Sequence, residues 1–295
     1  MGARDLGALV LLAALWGASY IFIRVAVPAL GPFVLMGARV ALASGALALY
    51  AFLLARGMPK FRSRWKEFLI VGATNSAIPF TLIAAAELEL TASLAAILNS
   101  TTALFVAVVA AVWIGESLTV KKVVGLLLGF AGVVVLVGWD PVPLNGAVLL
   151  AVGAMLAASL SYAVGGVYVK RTFAGVSPLA MTIGQQGAAA AILLPLAAAS
   201  LPGEAPPLPA ALSALALALL CTAVAYLLYF RLIENVGPTK TLAVTFLIPV
   251  FGLLFGVVLL DEPVGLGTLV GFAIISYGVA LVTEIRLLDR GKERA

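Results

Sequence analysis

The sequence predicts an all-α integral membrane protein with ten transmembrane helices, arranged as two five-helix repeats of inverted topology. Composition, the spacing of ionisable residues and a similarity between the two halves predict it. Of the 295 residues, 63% are hydrophobic and only 11% are charged, and the mean hydropathy is +1.18. Soluble domains are typically about 45–50% apolar and about 25% charged. The composition therefore indicates a protein that is embedded in a lipid bilayer.

Long stretches between charged residues set the number of spans. A spanning helix needs about 20 mostly apolar residues, and most of the uncharged stretches have room for one helix each. The connections between them are short, which leaves no room for a soluble domain, and residues 285–295 form a tail. The predicted spans are 6–27, 32–55, 67–87, 91–115, 119–138, 145–169, 177–200, 209–233, 239–260 and 264–284.

Basic residues predict the orientation. With the N-terminus in the cytoplasm, sixteen of the eighteen Lys and Arg residues fall on cytoplasmic segments, including Arg56, Lys60 and the tail. This is a strong positive-inside bias, and it places both termini in the cytoplasm. The net charge of +5 is thereby explained as an orientation signal, without a nucleic-acid partner. The charged residues of the external connections are all acidic: Glu87, Glu89, Asp140, Glu204, Asp261 and Glu262.

The two halves align at an offset of 146 residues. The stretch SLAAILNSTTALFVAVVAAVWIGE, which ends at Glu116, matches TKTLAVTFLIPVFGLLFGVVLLDE, which ends at Glu262. Chance similarity between apolar helices is the alternative, but helix ends and glycines also match over five spans. Because five is odd, the second half enters the membrane from the opposite side. Such inverted repeats are common in transporters, whose sites lie near the bilayer midplane.

These segments carry a family resemblance. LWGASYIFIR in the first span, the stretch ending at Glu116 and GFAGVVVLVG, with their second-half counterparts, resemble the EamA repeats of the drug/metabolite transporter superfamily. In detail they are similar to the YddG-type bacterial exporters of aromatic amino acids. The resemblance implies EamA repeats over 1–138 and 145–284, a bacterial inner-membrane location, and export of small metabolites, with amino acids expected first. Lipophilic drugs or purine-like metabolites are the alternative substrates.

Polar and aromatic side chains inside the spans predict where a substrate binds. They recur at i, i+3, i+4 or i+7 spacing and so occupy one stripe of each helix, which should face a central cavity and not lipid. Such a lining suits a neutral or zwitterionic amphiphile. Hydroxyls that bond to their own helix and aromatic anchors at the interface are the structural alternatives. The candidate substrate-binding residues are Trp16, Ser19, Tyr20, Asn75, Pro79, Phe80, Asn99, Tyr162, Tyr226 and Thr245.

Arginine and proline within spans give further candidates. Arg39 lies about 10 Å into the second span, at 1.5 Å per residue, and is expected to bind a substrate carboxylate or to form a structural ion pair. Pro79 and Pro249 interrupt helix hydrogen bonding, as hinges for alternating access or as static kinks. The glycines of the fifth and tenth spans predict a closely packed scaffold away from the cavity.

The chain lacks the residues that several classes of function require. The chain has no His and a single Cys, so the base of an intramembrane serine protease and the ligands of a metal site are missing. We therefore expect no enzyme, cofactor or metal, and a monomer that binds a small-molecule substrate. No acid lies within the first span, so the proton coupling of the small multidrug-resistance relatives is not expected, leaving facilitated transport or coupling through interfacial groups. A receptor or sensor without flux is the non-transporter alternative.

Overall fold

The computed structural model describes residues 2–54, 61–139, 145–241 and 243–283. Arg56, Lys60, Asp140 and the tail 285–295 lie outside these residues, as does the predicted last residue of the tenth span. All regular secondary structure in the described part of the chain is helical, and that part contains no β-strand. Its helices are α1 (Ala3–Leu53), α2 (Phe61–Gly72), α3 (Ile78–Ala86), α4 (Ala92–Asn99), α5 (Thr102–Ile114), α6 (Val120–Gly138), α7 (Gly146–Thr172), α8 (Pro178–Ala199), α9 (Leu208–Ala218), α10 (Ala225–Val236), α11 (Pro238–Thr241), α12 (Val244–Leu260) and α13 (Leu266–Thr283).

Helix α1 is bent back on itself at Gly31, where φ is 70° and ψ is 162°. A straight helix of 51 residues would be roughly 77 Å long at 1.5 Å per residue. Both ends of α1 nevertheless pack near α10, because Leu12 and Leu232 belong to one apolar cluster and Leu47 and Phe230 belong to another. The helix therefore consists of two antiparallel arms, arm 1 (residues 3–30) and arm 2 (residues 32–53).

Among the described residues, eight helical stretches are long and apolar enough to cross a membrane, with α1 counted once. They are Ala3–Leu53, Ser63–Ala86, Ala92–Ile114, Val120–Gly138, Gly146–Thr172, Pro178–Ala199, Leu208–Val236 and Leu266–Thr283. The shorter apolar helix Val244–Leu260 has 17 residues. The molecule is thus an all-α, multi-pass membrane protein.

The fourth predicted span, 91–115, corresponds to the apolar stretch Ala92–Ile114, which a short turn interrupts. Helix α4 ends at Asn99 and α5 begins at Thr102. The hydroxyls of Ser100, Thr101 and Thr102 each donate to the carbonyl three residues earlier, at 2.6 to 2.7 Å. Hydroxyls that bond to the backbone in this way compete with regular helix hydrogen bonds, and three in succession account for the break.

Two π-helical turns occupy equivalent places in the two halves. The first, Ala73–Ala77, joins α2 to α3, and the second, Leu219–Val224, joins α9 to α10. Their first residues are 146 positions apart, the offset at which the halves align. Pro79 cannot donate to the carbonyl of Asn75, whereas in the second turn the Thr222 hydroxyl donates to the carbonyl of Leu217 at 2.8 Å. Such turns are frequent at functional sites.

Helices α6 and α13 pack closely along their glycines. A Cβ on Gly125 would lie 2.7 Å from the carbonyl oxygen of Gly278, and one on Gly132 would lie 2.8 Å from the backbone nitrogen of Ile275. Gly271 in turn meets the backbone of Leu136. This is the close approach that the sequence predicts for the fifth and tenth spans.

Candidate functional site

Arg39 is the centre of a polar and aromatic cluster inside the bundle. Its residue surface is only 6% exposed. The Nε atom donates to the Thr222 hydroxyl at 3.0 Å, and the guanidinium carbon lies 3.9 Å from the centre of the Phe80 ring. Arg39 forms no salt bridge in the part of the chain that the structure describes. The ion pair that the sequence offered as one alternative is therefore absent there, and the guanidinium keeps donors for an anion.

Gln185 on α8 repeats this arrangement in the other half. It stands 146 residues after Arg39, and its amide donates to the hydroxyl of Ser76 at 2.9 Å. Ser76 stands 146 residues before Thr222. Each half thus sends one long polar side chain to a hydroxyl in the π-helical turn of the other half. The two bonds tie the halves together at matching positions.

Gln185 and Gln186, both on the seventh span, are not among the residues predicted from the sequence. Gln185 is 2% exposed and Gln186 is fully buried. Neither the amide nitrogen nor the amide oxygen of Gln186 has a hydrogen-bond partner among the described residues. Two successive amides within a membrane span were the available signal, since each needs several partners.

Aromatic rings surround Arg39 and extend from the cluster toward one end of the bundle. Phe80 and Tyr162 meet edge to face with ring centres 6.3 Å apart. Trp16 packs against Tyr226 and Tyr229, at 6.2 and 5.5 Å between ring centres. Edge-to-face and tilted pairs of this kind suit the quadrupoles of the rings, and they present an apolar, polarisable surface beside a cation.

Seven of the predicted residues meet in three groups: Arg39 stacks on Phe80, which packs against Tyr162; Trp16 packs against Tyr226; and Asn99 lies beside Tyr20. The others lie elsewhere or act within the fold. The Ser19 hydroxyl donates to the carbonyl of Leu15 at 3.4 Å, and Asn75 packs against Gly165 of α7. Pro79 is buried in the first turn of α3, Pro249 is buried within α12, and Thr245 is exposed near the start of α12.

Asn99 ends α4 beside Tyr20, with which its side chain interacts. Its amide oxygen is buried and has no hydrogen-bond partner in the described chain. A buried oxygen without a partner destabilises the fold. We therefore expect Asn99→Ala to reduce transport while leaving the melting temperature unchanged or higher, measured on the purified protein. A large fall in melting temperature would show that Asn99 is a structural residue.

A cavity of about 680 Å³ lies at one end of the bundle, between arm 2, α8 and α10. It is not the central cavity that the sequence predicts, since Tyr50, Pro178 and Arg231 are part of its lining. Phe230 also lines it, and the Phe230 ring packs 5.9 Å from the ring of Tyr226. The cavity therefore leads toward the aromatic side of the cluster from the end that the sequence predicts to be cytoplasmic.

At the opposite end, Glu262 of the second half binds the first turn of α4 in the first half. Its carboxylate accepts hydrogen bonds from the backbone N–H groups of Ala92 and Ser93, at 2.7 and 2.9 Å, and from the Ser93 hydroxyl at 2.5 Å. The next N–H, that of Leu94, is bonded by the Thr91 side chain. The first turn of α4 is thus fully capped, and an acid there also interacts favourably with the helix dipole.

Glu116, which stands 146 residues before Glu262, is used differently. Its side chain is 42% exposed and accepts a hydrogen bond from Lys170 at 3.0 Å. That bond lowers the pKa of Glu116 below its ordinary value, so this carboxylate is ionised at neutral pH. Two acids at equivalent positions therefore lie in different environments, one sealing the end of a helix and the other exposed.

Comparison with known proteins agrees with this architecture. The sequence model of the EamA-like transporter family matches residues 6–138 and again 149–284. The uncharacterized inner membrane transporter YedA of Escherichia coli (strain K12) is 31% identical over 286 residues, covering 94% of this chain and 90% of its own. The uncharacterized transporter YvbV of Bacillus subtilis is 27% identical, with coverage of 93% and 90%.

Protein PecM of Dickeya dadantii is 27% identical over 281 residues, which cover 94% of this chain and 92% of PecM. A solved crystal structure superposes with a TM-score of 0.66 at 21% sequence identity, covering 96% of this chain and 98% of its own. At that identity the likeness concerns the fold alone.

Proposed function

This chain belongs to the EamA-like transporter family, and from that premise we propose that it exports neutral or aromatic amino acids by alternating access around the Arg39 cluster. The family and its named relatives are transporters, so the protein is a membrane transporter and not an enzyme. The amino-acid substrate, the direction of transport and the site are our proposal. It agrees with the resemblance to YddG-type exporters of aromatic amino acids.

The buried guanidinium of Arg39 carries the proposal. A cation in the interior of a membrane protein needs a partner, and Arg39 has only a hydroxyl and an aromatic ring. A substrate carboxylate would supply the missing partner through two parallel hydrogen bonds. The rings of Phe80, Tyr162 and Tyr226 would then pack against an apolar or aromatic side chain of the substrate. An amino acid has both features.

We further propose that the protein crosses the membrane ten times, with both termini in the cytoplasm. The two arms of α1 supply two crossings, and α12 with the short α11 supplies another. The halves, 1–138 and 145–284, are then inverted repeats. Two features support this arrangement: the π-helical turns 146 residues apart and the family match that occurs once in each half.

The unequal environments of Glu262 and Glu116 indicate which side is closed. With the predicted orientation, Glu262 seals the external end against α4, while the cavity beside α10 opens toward the cytoplasm. In inverted repeats the two ends can exchange conformations. We propose that Glu262 leaves the first turn of α4 when the external side opens.

A thermal-shift screen of the purified protein tests the substrate class. Ligands that bind the folded state raise its melting temperature, and the rise grows with the ratio of ligand concentration to Kd. We expect phenylalanine, tryptophan and leucine to raise it, and nucleobases and lipophilic dyes to have no effect. Stabilisation by nucleobases or dyes alone would contradict the amino-acid proposal and favour the purine or multidrug alternative.

A further inference from the structure

Glu87 is a buried acid without a hydrogen-bond partner. It directly follows the last residue of α3, and its side chain is fully buried. Neither carboxylate oxygen has a partner among the described residues. A buried polar group is almost always hydrogen-bonded, so an exception of this kind needs an explanation. The sequence had placed Glu87 in an external connection, where water would have solvated it.

The charged groups nearest to Glu87 form their hydrogen bonds with other partners and not with the Glu87 carboxylate. Arg24 donates to the backbone carbonyl oxygens of Glu87 and Leu88 and forms no salt bridge with the Glu87 carboxylate. Glu262, whose charge is also felt at Glu87, is bound to the first turn of α4. The other charged or titratable neighbours are Arg39 and Tyr20, both on α1.

The position of Glu87 directs it toward Arg39. Phe80, Ala84 and Glu87 are all buried. At i, i+4 and i+7 spacing they lie on one stripe of α3 and its C-cap residue. Phe80 is the ring on which the Arg39 guanidinium stacks. Side chains of a helix lean toward its N-terminus, so we expect the Glu87 carboxylate to extend back toward that ring. Ala84, the residue between them on the stripe, has a small side chain that leaves room.

Glu87 and Arg39 are thus a buried acid and a buried base that form no salt bridge with each other among the described residues. A buried charge is costly unless it is paired and hydrogen-bonded. An α-amino acid carries an ammonium and a carboxylate on one carbon atom, and it would satisfy both residues at once. A ligand without the ammonium would leave Glu87 without an ionic partner, and a ligand without the carboxylate would leave Arg39 without one.

We propose that Glu87 binds the ammonium group of a zwitterionic substrate whose carboxylate is bound by Arg39. This proposal rests on the function proposed above and adds the group that recognises the amine. The zwitterion lies between α3 and arm 2, with its side chain toward Tyr162 and Tyr226. The site therefore selects free α-amino acids over carboxylates without an amine and over amines without a carboxylate.

Equilibrium binding of radiolabelled phenylalanine to the purified full-length protein tests this. Unlabelled phenylalanine, 3-phenylpropionate and 2-phenylethylamine compete against the label in wild type, Glu87→Gln and Glu89→Gln. Glu89 is the matched control because it is exposed and two residues away. We expect wild type to prefer phenylalanine over both analogues. Glu87→Gln should weaken phenylalanine binding about tenfold or more, the range of a hydrogen bond to a charged group, and bind 3-phenylpropionate as wild type does.

The outcomes separate the two proposals. If wild type binds no amino acid, the proposed function is wrong and this inference fails with it. If wild type binds phenylalanine and Glu87→Gln binds it equally well, only the role of Glu87 is wrong; a pH dependence of flux lost in that variant would identify Glu87 as a proton carrier instead. Glu87→Asp keeps the carboxylate and should bind phenylalanine better than Glu87→Gln. Elution as a single peak in size-exclusion chromatography shows that each variant is folded.

Discussion

Replacing Glu262 by alanine should open the external end of the protein and greatly slow transport. The variant loses three hydrogen bonds to a charged acceptor, which now hold α4 against the end of α12. Each such bond contributes about 1.5–3 kcal/mol, so the balance between closed and open states should shift roughly tenfold or more. The protein should still fold, because the N–H groups released at the helix end can bond to water.

Cysteine accessibility measures that shift. Leu90 is fully buried two residues before α4, so Leu90→Cys in a Cys221→Ala background reports opening to a membrane-impermeant maleimide added outside. We expect Glu262→Ala to label faster than its parent. Asp261→Asn is the matched control, since Asp261 is the exposed neighbour. Equal labelling of Glu262→Ala and its parent would show that Glu262 does not hold the external end closed.

Arg39→Ala should abolish substrate exchange while the protein still folds. Truncating one partner of a buried hydrogen-bonded charge pair costs about 2–5 kcal/mol, which corresponds to a loss of roughly 30-fold or more in substrate affinity. The fold should survive because the Thr222 hydroxyl keeps its bond to Leu217. Exchange of labelled phenylalanine in proteoliposomes measures the effect, and size-exclusion chromatography checks the fold.

Arg39→Lys is the informative second variant. Lysine keeps the positive charge but lacks the planar group that stacks on Phe80 and bonds a carboxylate in two places. We expect its exchange rate to lie between those of wild type and Arg39→Ala. If Arg39→Ala exchanges phenylalanine at the wild-type rate, Arg39 is not part of the substrate site.

The sequence predicted the parts of this structure that depend on composition and periodicity. Uncharged stretches located the membrane-spanning segments because a charge within lipid is costly. The glycines of α6 and α13 predicted their packing because only small residues let two backbones approach so closely. Aromatic stripes pointed to Phe80, on whose ring the Arg39 guanidinium stacks, and to Tyr162, which packs against Phe80, because polar groups avoid lipid. Their role in binding stays a prediction.

The remaining features depend on contacts between segments distant in the chain. The environment of Glu87 could not be predicted, since its burial results from packing beside α1 and the end of α12. The partners of Arg39 and Gln185 lie on the π-helical turns of the opposite halves. The break after Asn99 had a local signal, three successive hydroxyl residues, but hydroxyls in a membrane helix often leave it continuous. Sequence spacing alone does not determine such pairings.

Counterflow in proteoliposomes is the most direct test of the central claim, that this protein moves amino acids by alternating access. Vesicles that contain purified protein and are loaded with unlabelled phenylalanine are diluted into a trace of labelled phenylalanine. An alternating-access carrier should accumulate the label transiently above its external concentration, and protein-free vesicles should not. Accumulation by wild type and its loss in Arg39→Ala is the predicted result. No accumulation by folded wild-type protein with phenylalanine, tryptophan or leucine would contradict the account.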